Sequence, residues 1–544
     1  MSNGELPKDA DGLQLNFCKT LACDNFGLSD AKRYVLQHAN PKRPAMVCRE
    51  CGAFPPLLNN RDVVNELHRL RHVHSDGLPA CRNDDCENFG LSVHTHKHLY
   101  HAFGYSGDRQ RYRCKACQST FVDKWSGANK KLQFQENLMG LLFTGYSVRE
   151  ICRKLSINPK TFYDHVDHIA SRCRRKLATI DARWVNHATH YELASNYVAL
   201  QPNSNNGVYW IVSGEAHSGY ILCQHVNYSA DEEPIATLDH NPYDEVSRFV
   251  SQEYTAEASE PPAEPSNLLR ERIDQKYQTI LARGNVEDPL GNLSVFHYPS
   301  KGALVRPPYT SYAHYLHVLD MCCPNKRVSL YMPQDPLLRS AALSVCLSRI
   351  KEKNVDLMYV EEDANWDMST PFGKVDIAYM SWWRDRWAIS TQDESHKGIC
   401  YLAGDRNEPE KWFNVATTRH VQFYQNRFQI LFESFINEPR RKLRPAGILP
   451  LLDISKDDLK SNNFLNAYIT DSRRDVQYED SIYLVFKPEN VERFREFLEF
   501  EYERTTSLID DYDYEDGFVV LVYKLPSLFD DIEICGFVAD NNPC

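Results

Sequence analysis

No stretch of about 18 apolar residues occurs in the 544-residue chain, so no helical membrane span is expected. Residues 1–15 carry acidic side chains without an apolar core, so no secretory leader is expected either. Glycine (23) and proline (28) are too scarce for a fibrous or wholly disordered chain. Phosphate-binding glycine loops, nucleophile elbows and paired-histidine metalloprotease helices are missing, which sets aside the enzyme classes they mark. What is present is an ordinary globular composition, 42% hydrophobic and 25% charged, long enough for about three or four domains. The expectation is a soluble, cytoplasmic protein with no membrane partner.

Charge is unevenly distributed. The net charge is -12, yet residues 1–180 hold 27 Lys and Arg against 18 Asp and Glu, and the remainder holds 35 against 56. A polyanion would be held by the amino-terminal third, because phosphate binding needs local positive charge and not a positive whole.

Eight of the 17 cysteines fall within residues 18–117, and they fall as pairs. Cys18, Cys23, Cys48 and Cys51 form one set; Cys81, Cys86, Cys114 and Cys117 form the other. Two short-spaced pairs separated by a hairpin present four thiolates to one tetrahedral Zn²⁺, the pattern of a zinc ribbon. Cys23–Ser29 (CDNFGLS) recurs as Cys86–Ser92 (CENFGLS), so the module is duplicated. Both zinc sites are expected to be structural, since a closed tetrathiolate site carries no reaction. The return arm of the second ribbon alternates basic and aromatic residues, nominating Arg109, Arg111, Arg113 and Lys115 for phosphate contact. His94, His96, His98 and His101 read as the solvent face of a hairpin.

A helix-turn-helix follows. Leu132, Leu138, Leu141 and Leu142 form a helical stripe; Ser147 and Glu150 form a capping box for a second helix; Pro159 opens a third. Early residues of such a recognition helix meet base edges, which nominates Lys160, Thr161, Tyr163 and Asp164. The basic run Arg172, Arg174, Arg175 and Lys176 is expected to contact phosphates.

These stretches, Tyr112–Phe121 (YRCKACQSTF), Gly145–Leu155 (GYSVREICRKL) and Pro159–Tyr163 (PKTFY), resemble the amino-terminal part of bacterial insertion-sequence transposases. The resemblance covers residues 80–180 well and 180–450 loosely. It implies a zinc ribbon and helix-turn-helix that bind double-stranded DNA, followed by an RNase H-like domain whose three acids hold two Mg²⁺ for DNA cleavage and strand transfer. Residues 191–228 read independently as three antiparallel strands, 327–332 as a fourth, 337–353 as a helix and 355–360 as a fifth, an order that fits an RNase H-like sheet. Asp335 matches the family's second acid. Where the family has its first acid this chain has Ala194 or Leu193, with Glu192 nearby; for the third it has Gln422, with Glu433 further along. Loss of charge at two of three ligands would impair a metal pair.

The expected architecture is therefore multidomain α+β: a first zinc ribbon (1–78), a second (79–128), a helix-turn-helix (129–182), an RNase H-like mixed α/β domain (183–455) with an acidic insertion near 229–290, and a carboxy-terminal β-α-β domain (460–544). Two functions stay open. One is a transposase-derived, sequence-specific DNA-binding protein with an impaired DDE site; the other is an active transposase, a Mg²⁺ enzyme using Glu192, Asp335 and Glu433. A homo-oligomer fits either.

Overall fold

The first cysteine pairs flank a hairpin, β1 (Tyr34–Gln37) and β2 (Ala45–Cys48), in the computed structural model. The structure describes residues 5–37, 44–124, 132–143, 146–201, 204–238, 240–255, 266, 268–283, 285–293, 295–381, 384–404 and 410–436, and the backbone of 468–469, 481–486, 507–514 and 518–524. The chain divides into two compact units: residues 1–71 with 188–425, and residues 72–187 with 426–544. The two cysteine modules thus belong to different units.

Helix α1 (Asn60–His74) follows the first module and buries Val63, Leu67 and Leu70, the last two against Ala313. The second module is a three-stranded antiparallel sheet, β3 (Tyr100–Ser106), β4 (Arg109–Cys114) and β5 (Thr120–Val122). Then come α2 (Leu132–Phe143), α3 (Val148–Lys154) and α4 (Pro159–His187). Ser147 and Glu150 make the expected capping box on α3, and Asn158 Oδ1 caps α4 by accepting from Thr161 N at 2.8 Å. Leu138, Ile151, Phe162 and Ile169 close the small core that joins these helices. The third helix runs 29 residues, absorbing the basic run into the same rod.

In the first unit the expected meander is β6 (His190–Ala199), β7 (Tyr209–Glu215) and β8 (Ile221–Val226), antiparallel throughout. A two-residue strand β9 (Tyr228–Ser229) pairs with β10 (Ala303–Leu304); α5 (Leu269–Leu281) lies between them in sequence, and α6 (Pro307–Met321) follows. Strand β11 (Arg327–Met332) joins β6 in parallel, α7 (Pro336–Val345) and α8 (Leu347–Lys351) cross over, and β12 (Val355–Glu362) pairs parallel to β11. Three further antiparallel strands, β13 (Val375–Met380), β14 (Asp385–Gln392) and β15 (Ser395–Ala403), extend the sheet, followed by α9 (Glu410–Phe413) and α10 (Arg419–Ile436). The finished sheet has eight strands in the order β13-β14-β15-β12-β11-β6-β7-β8. The described chain is thus mixed α/β, with one large mixed sheet and ten α-helices among the described residues.

The first module is part of this unit and does not stand apart as a ribbon domain. Buried Lys19 bonds Tyr312 and pairs with Glu287 at 3.5 Å, and Asp62 accepts from Ser247 N and Arg248 Nη1, the latter at 2.8 Å. Gly27 has a left-handed φ of 68° and packs closely on α8, where an added Cβ would meet Leu347 Cδ1 at 2.5 Å, so glycine is favoured there.

Two expectations change. Part of the expected acidic insertion folds as α5, which buries Leu269, Ile273, Tyr277 and Ile280, an apolar stripe that holds it on β15; residues 256–265 lie outside the described residues. At the carboxy-terminal end, β16 (Tyr468–Ile469), β17 (Ser481–Phe486), β18 (Ser507–Tyr514) and β19 (Phe518–Lys524) form an antiparallel sheet in the order β16-β17-β19-β18. The acidic segment 510–514 is part of strand β18, and residues 487–506, where the helix of the expected β-α-β unit would fall, lie outside the described residues.

Candidate metal centres and nucleic-acid interface

Each cysteine module builds its centre the same way. In the first, Cys18 and Cys51 sulfurs lie 3.5 Å apart and Cys23 and Cys48 3.7 Å apart; in the second, Cys81 and Cys117 lie 3.5 Å and Cys86 and Cys114 3.7 Å apart. In each module all four sulfurs fall within 4.8 Å of one another, a spacing that fits a tetrahedral ion with metal–sulfur bonds of about 2.3 Å. The surroundings fit too. Asn25 donates its backbone N–H to Cys23 at 3.4 Å and its amide to Cys48 at 3.3 Å, and Asn88 repeats both bonds on Cys86 and Cys114 at 3.4 Å. Tyr34 and Tyr100 each accept the N–H of the first cysteine and donate back to a carbonyl two residues past the second, Asn25 O at 3.3 Å and Asn88 O at 3.2 Å. Left-handed backbone at Gly52 (φ 70°) and Gln118 (φ 61°) turns the second pair so that both thiols face inward.

Burial pushes the thiols of Cys18, Cys23, Cys81 and Cys86 up, Cys23 to about 11 and Cys86 to about 12. At Cys48 burial is outweighed by the Cys51 N–H, the Asn25 amide and the Glu50 N–H, which leave it at about 7. At Cys117 the Ser119 hydroxyl and N–H outweigh burial and leave it at about 6. N–H and O–H groups that donate hydrogen bonds to a sulfur favour its thiolate, the form a metal binds. Both four-cysteine sets are positioned to bind zinc. His94, His96, His98 and His101 belong to neither set. His96 is buried, and a 3-10 turn at Lys97–Leu99 interrupts the expected alternation.

The nominated basic residues divide into two groups. On β4, Arg109 is exposed and Arg111 and Arg113 half-buried; strand alternation gives the three one face, and Lys115 just beyond is exposed. On α4, Lys160 and Tyr163 are exposed and Thr161 half-buried. The later basic run is engaged inside the unit: Arg172 donates to Gln135 at 3.2 Å, Arg174 pairs with Asp76 at 3.0 Å, and Arg175 forms a two-point pair with Asp123. Lys176 is half-buried. These arginines anchor α4 to its neighbours, a use that sequence composition does not separate from phosphate contact.

Of the nominated acids, Glu192 and Asp335 stand apart. Glu192 sits near the start of β6, in register with Ser329, whereas Asp335 lies beyond the far end of the parallel strand β11. Glu192 accepts from Tyr331 and His217, each at 3.1 Å. Asp335 is buried; it accepts from Tyr197 at 2.7 Å and from Arg283 at 2.9 Å, and caps α7 through Leu337 N at 2.9 Å. Glu433 lies on α10 with its side chain outside the described residues. Among the described residues no group of three metal-ligating side chains includes Asp335 or Glu192. Glu192 and Asp335, each engaged by its own neighbours, are not placed to share a Mg²⁺ pair.

Close to the positions read as lost acids, a strand and a helix meet through side-chain amides. The residues brought together are Asn196 on β6 and Gln425 on α10, whose amides bond at 2.7 Å; Gln425 also donates to Trp210 O at 3.1 Å. Ala194 is fully buried and Gln422 bonds Thr418. Asn196 is two strand residues past Ala194, and Gln425 three helix residues past Gln422. Trp387, from the aromatic run at 381–387, is core: it stacks on Tyr359 and donates to Tyr277 at 3.1 Å.

Among the described residues no helix is long and apolar enough to cross a membrane. No family model, no curated protein and no solved structure matches the chain.

Proposed function

We propose that the protein is a zinc-dependent, sequence-specific DNA-binding protein derived from an insertion-sequence transposase, in which an RNase H-like domain persists as a scaffold. The observation that carries the reading is the alternation of Arg109, Arg111 and Arg113 along one face of β4, in the same unit as the helices α3 and α4 with their exposed Arg149, Arg153 and Lys160. Cationic side chains on a metal-ordered strand and on the first turn of a helix supply the two kinds of contact that DNA recognition needs, phosphate for affinity and base edge for sequence.

The strand order β8-β7-β6-β11-β12, three antiparallel strands and two parallel crossovers, supports the RNase H-like reading of the first unit. Within it, two neutral amides meet between β6 and α10, and a buried guanidinium holds Asp335. Neutral amides are weak Mg²⁺ ligands, so these features favour the scaffold over the active enzyme.

Fluorescence anisotropy with duplex DNA tests the reading. Zinc-loaded protein is expected to bind, chelation to abolish binding, and Mg²⁺ to produce no cleavage. Retained affinity after chelation contradicts the role given to the zinc modules, and Mg²⁺-dependent nicking contradicts the scaffold.

A further inference from the structure

Between the first cysteine module and the first turns of α6 and α7, the first unit holds a cavity of about 470 Å³, within the size range of small-molecule sites. The module contributes Phe54, Pro55 and Pro56, just past Cys51, and the helices α5 and α7 contribute Leu281 and Leu343. These walls are apolar. Phe54 is 57% exposed and does not belong to the core around the cysteines, so its ring stands where the cavity meets solvent.

Two lining groups of opposite charge are incompletely bonded. Glu287 has its side chain 4% exposed; Oε1 pairs with Lys19 at 3.5 Å, while buried Oε2 has no hydrogen-bond partner among the described residues. A buried carboxylate oxygen without a donor is costly, and at a cavity wall it calls for a donor from outside the chain. Arg306, the N-cap residue of α6, makes one side-chain hydrogen bond among the described residues, from Nη2 to Asp288 at 3.2 Å. Asp288 follows Glu287 directly in the chain and is not itself a lining residue, so this tether holds a guanidinium with further N–H groups near the unpartnered carboxylate oxygen. Arg339 adds a second guanidinium to the lining, paired with Asp385 at 3.4 Å.

A ligand matched to this lining carries a cationic N–H donor beside a carboxylate, on a large apolar body. An apolar acid leaves Glu287 without its donor, and an apolar amine leaves Arg306 without an acceptor. An α-amino acid has both groups on one carbon. We propose that the cavity binds a free α-amino acid with a large apolar side chain. Its ammonium donates to Glu287 Oε2, its carboxylate accepts from Arg306, and its side chain lies against Phe54, Pro55, Leu281 and Leu343. Charge-assisted bonds of both signs then select the zwitterion over molecules that carry one charge.

The test is calorimetric titration of the full zinc-loaded chain with L-phenylalanine, with phenethylamine, which lacks the carboxylate, and with hydrocinnamate, which lacks the ammonium. L-phenylalanine is expected to bind at one site per chain, about tenfold or more tighter than either analogue, the loss of one charge-assisted bond. Phe54→Ala, at an exposed position, is expected to weaken L-phenylalanine about threefold or more through lost apolar contact, and Glu287→Gln about tenfold or more. Circular dichroism and zinc stoichiometry establish that the variants are folded; if Glu287→Gln does not fold, Phe54→Ala and the two analogues still decide. No binding of L-phenylalanine at millimolar concentration, equal affinity for either analogue, or unchanged affinity in the folded variants would each overturn the proposal. None of these outcomes bears on DNA binding, whose residues lie in the other unit.

Discussion

Asp335 uses both carboxylate oxygens within the fold, one on the cap of α7 and the other on Tyr197 and Arg283. The Arg283–Asp335 pair is buried on both sides, 6% and 8% exposed. Removing one member of such a pair leaves an uncompensated charge, so Arg283→Ala is expected to destabilise the first unit by about 3–5 kcal/mol in urea unfolding, and Asp335→Asn in the same chain to restore part of it. A loss below about 1 kcal/mol would show that the pair does not hold the site closed. Glu192 is committed differently, to His217. The hydrogen bond that His217 donates to Glu192 holds His217 above its usual range against the opposing effect of burial, and holds Glu192 below its own. A histidine whose folded value is raised contributes stability that is full below its unfolded pKa and fades as pH rises through the folded one. An NMR titration is expected to find His217 above 6.5 in the parent and lower in Glu192→Gln; equal values would refute the coupling.

Among the elements, the two zinc modules repeat down to single hydrogen bonds, with Asn25 and Asn88 in the same place. Outer donors of this kind orient and stabilise ligands, so Asn88→Ala is expected to weaken zinc at the second module about 10–100-fold, measured by chelator competition, and Asn25→Ala to do the same at the first. Unchanged affinity in both would mean that the thiolates alone set the site. Cysteine spacing made these modules legible in the chain, because thiolate pairs have few other uses in register. The capping box at Ser147 and the strands around β6 and β11 were legible for the same reason: each is specified by local chemistry. Helix α6 was not. It is buried on nearly every side, Tyr312 and His314 included, so it shows no amphipathic stripe. The histidine chain His314–His225–His317 and Ser213 satisfy one another in that core, and burial lowers His314 to about 3. Helix α5 does carry a readable stripe, Leu269, Ile273, Tyr277 and Ile280, hidden by the acidic residues before it. The Asn196–Gln425 contact was unreadable because it depends on how β6 meets α10, a distance of 229 residues in sequence.

For the whole molecule, the excess of basic residues lies in the first 180 positions, and the acidic excess in the rest. Part of that basic excess is engaged within the fold, since Arg172, Arg174 and Arg175 are held by neighbours; Arg109, Arg111 and Arg113 line one face of β4. DNA affinity should then depend on a small number of phosphate contacts, and the salt dependence counts them. The most direct measurement is the slope of log affinity against log salt for duplex DNA, in the parent and in Arg109→Ala, Arg111→Ala, Arg113→Ala combined. At about 0.9 per phosphate, the combined variant is expected to bind more weakly with a slope shallower by roughly 2–3. An unchanged slope, or parent affinity insensitive to salt, would contradict the assignment of β4 as the phosphate-binding strand and with it the proposed DNA-binding function.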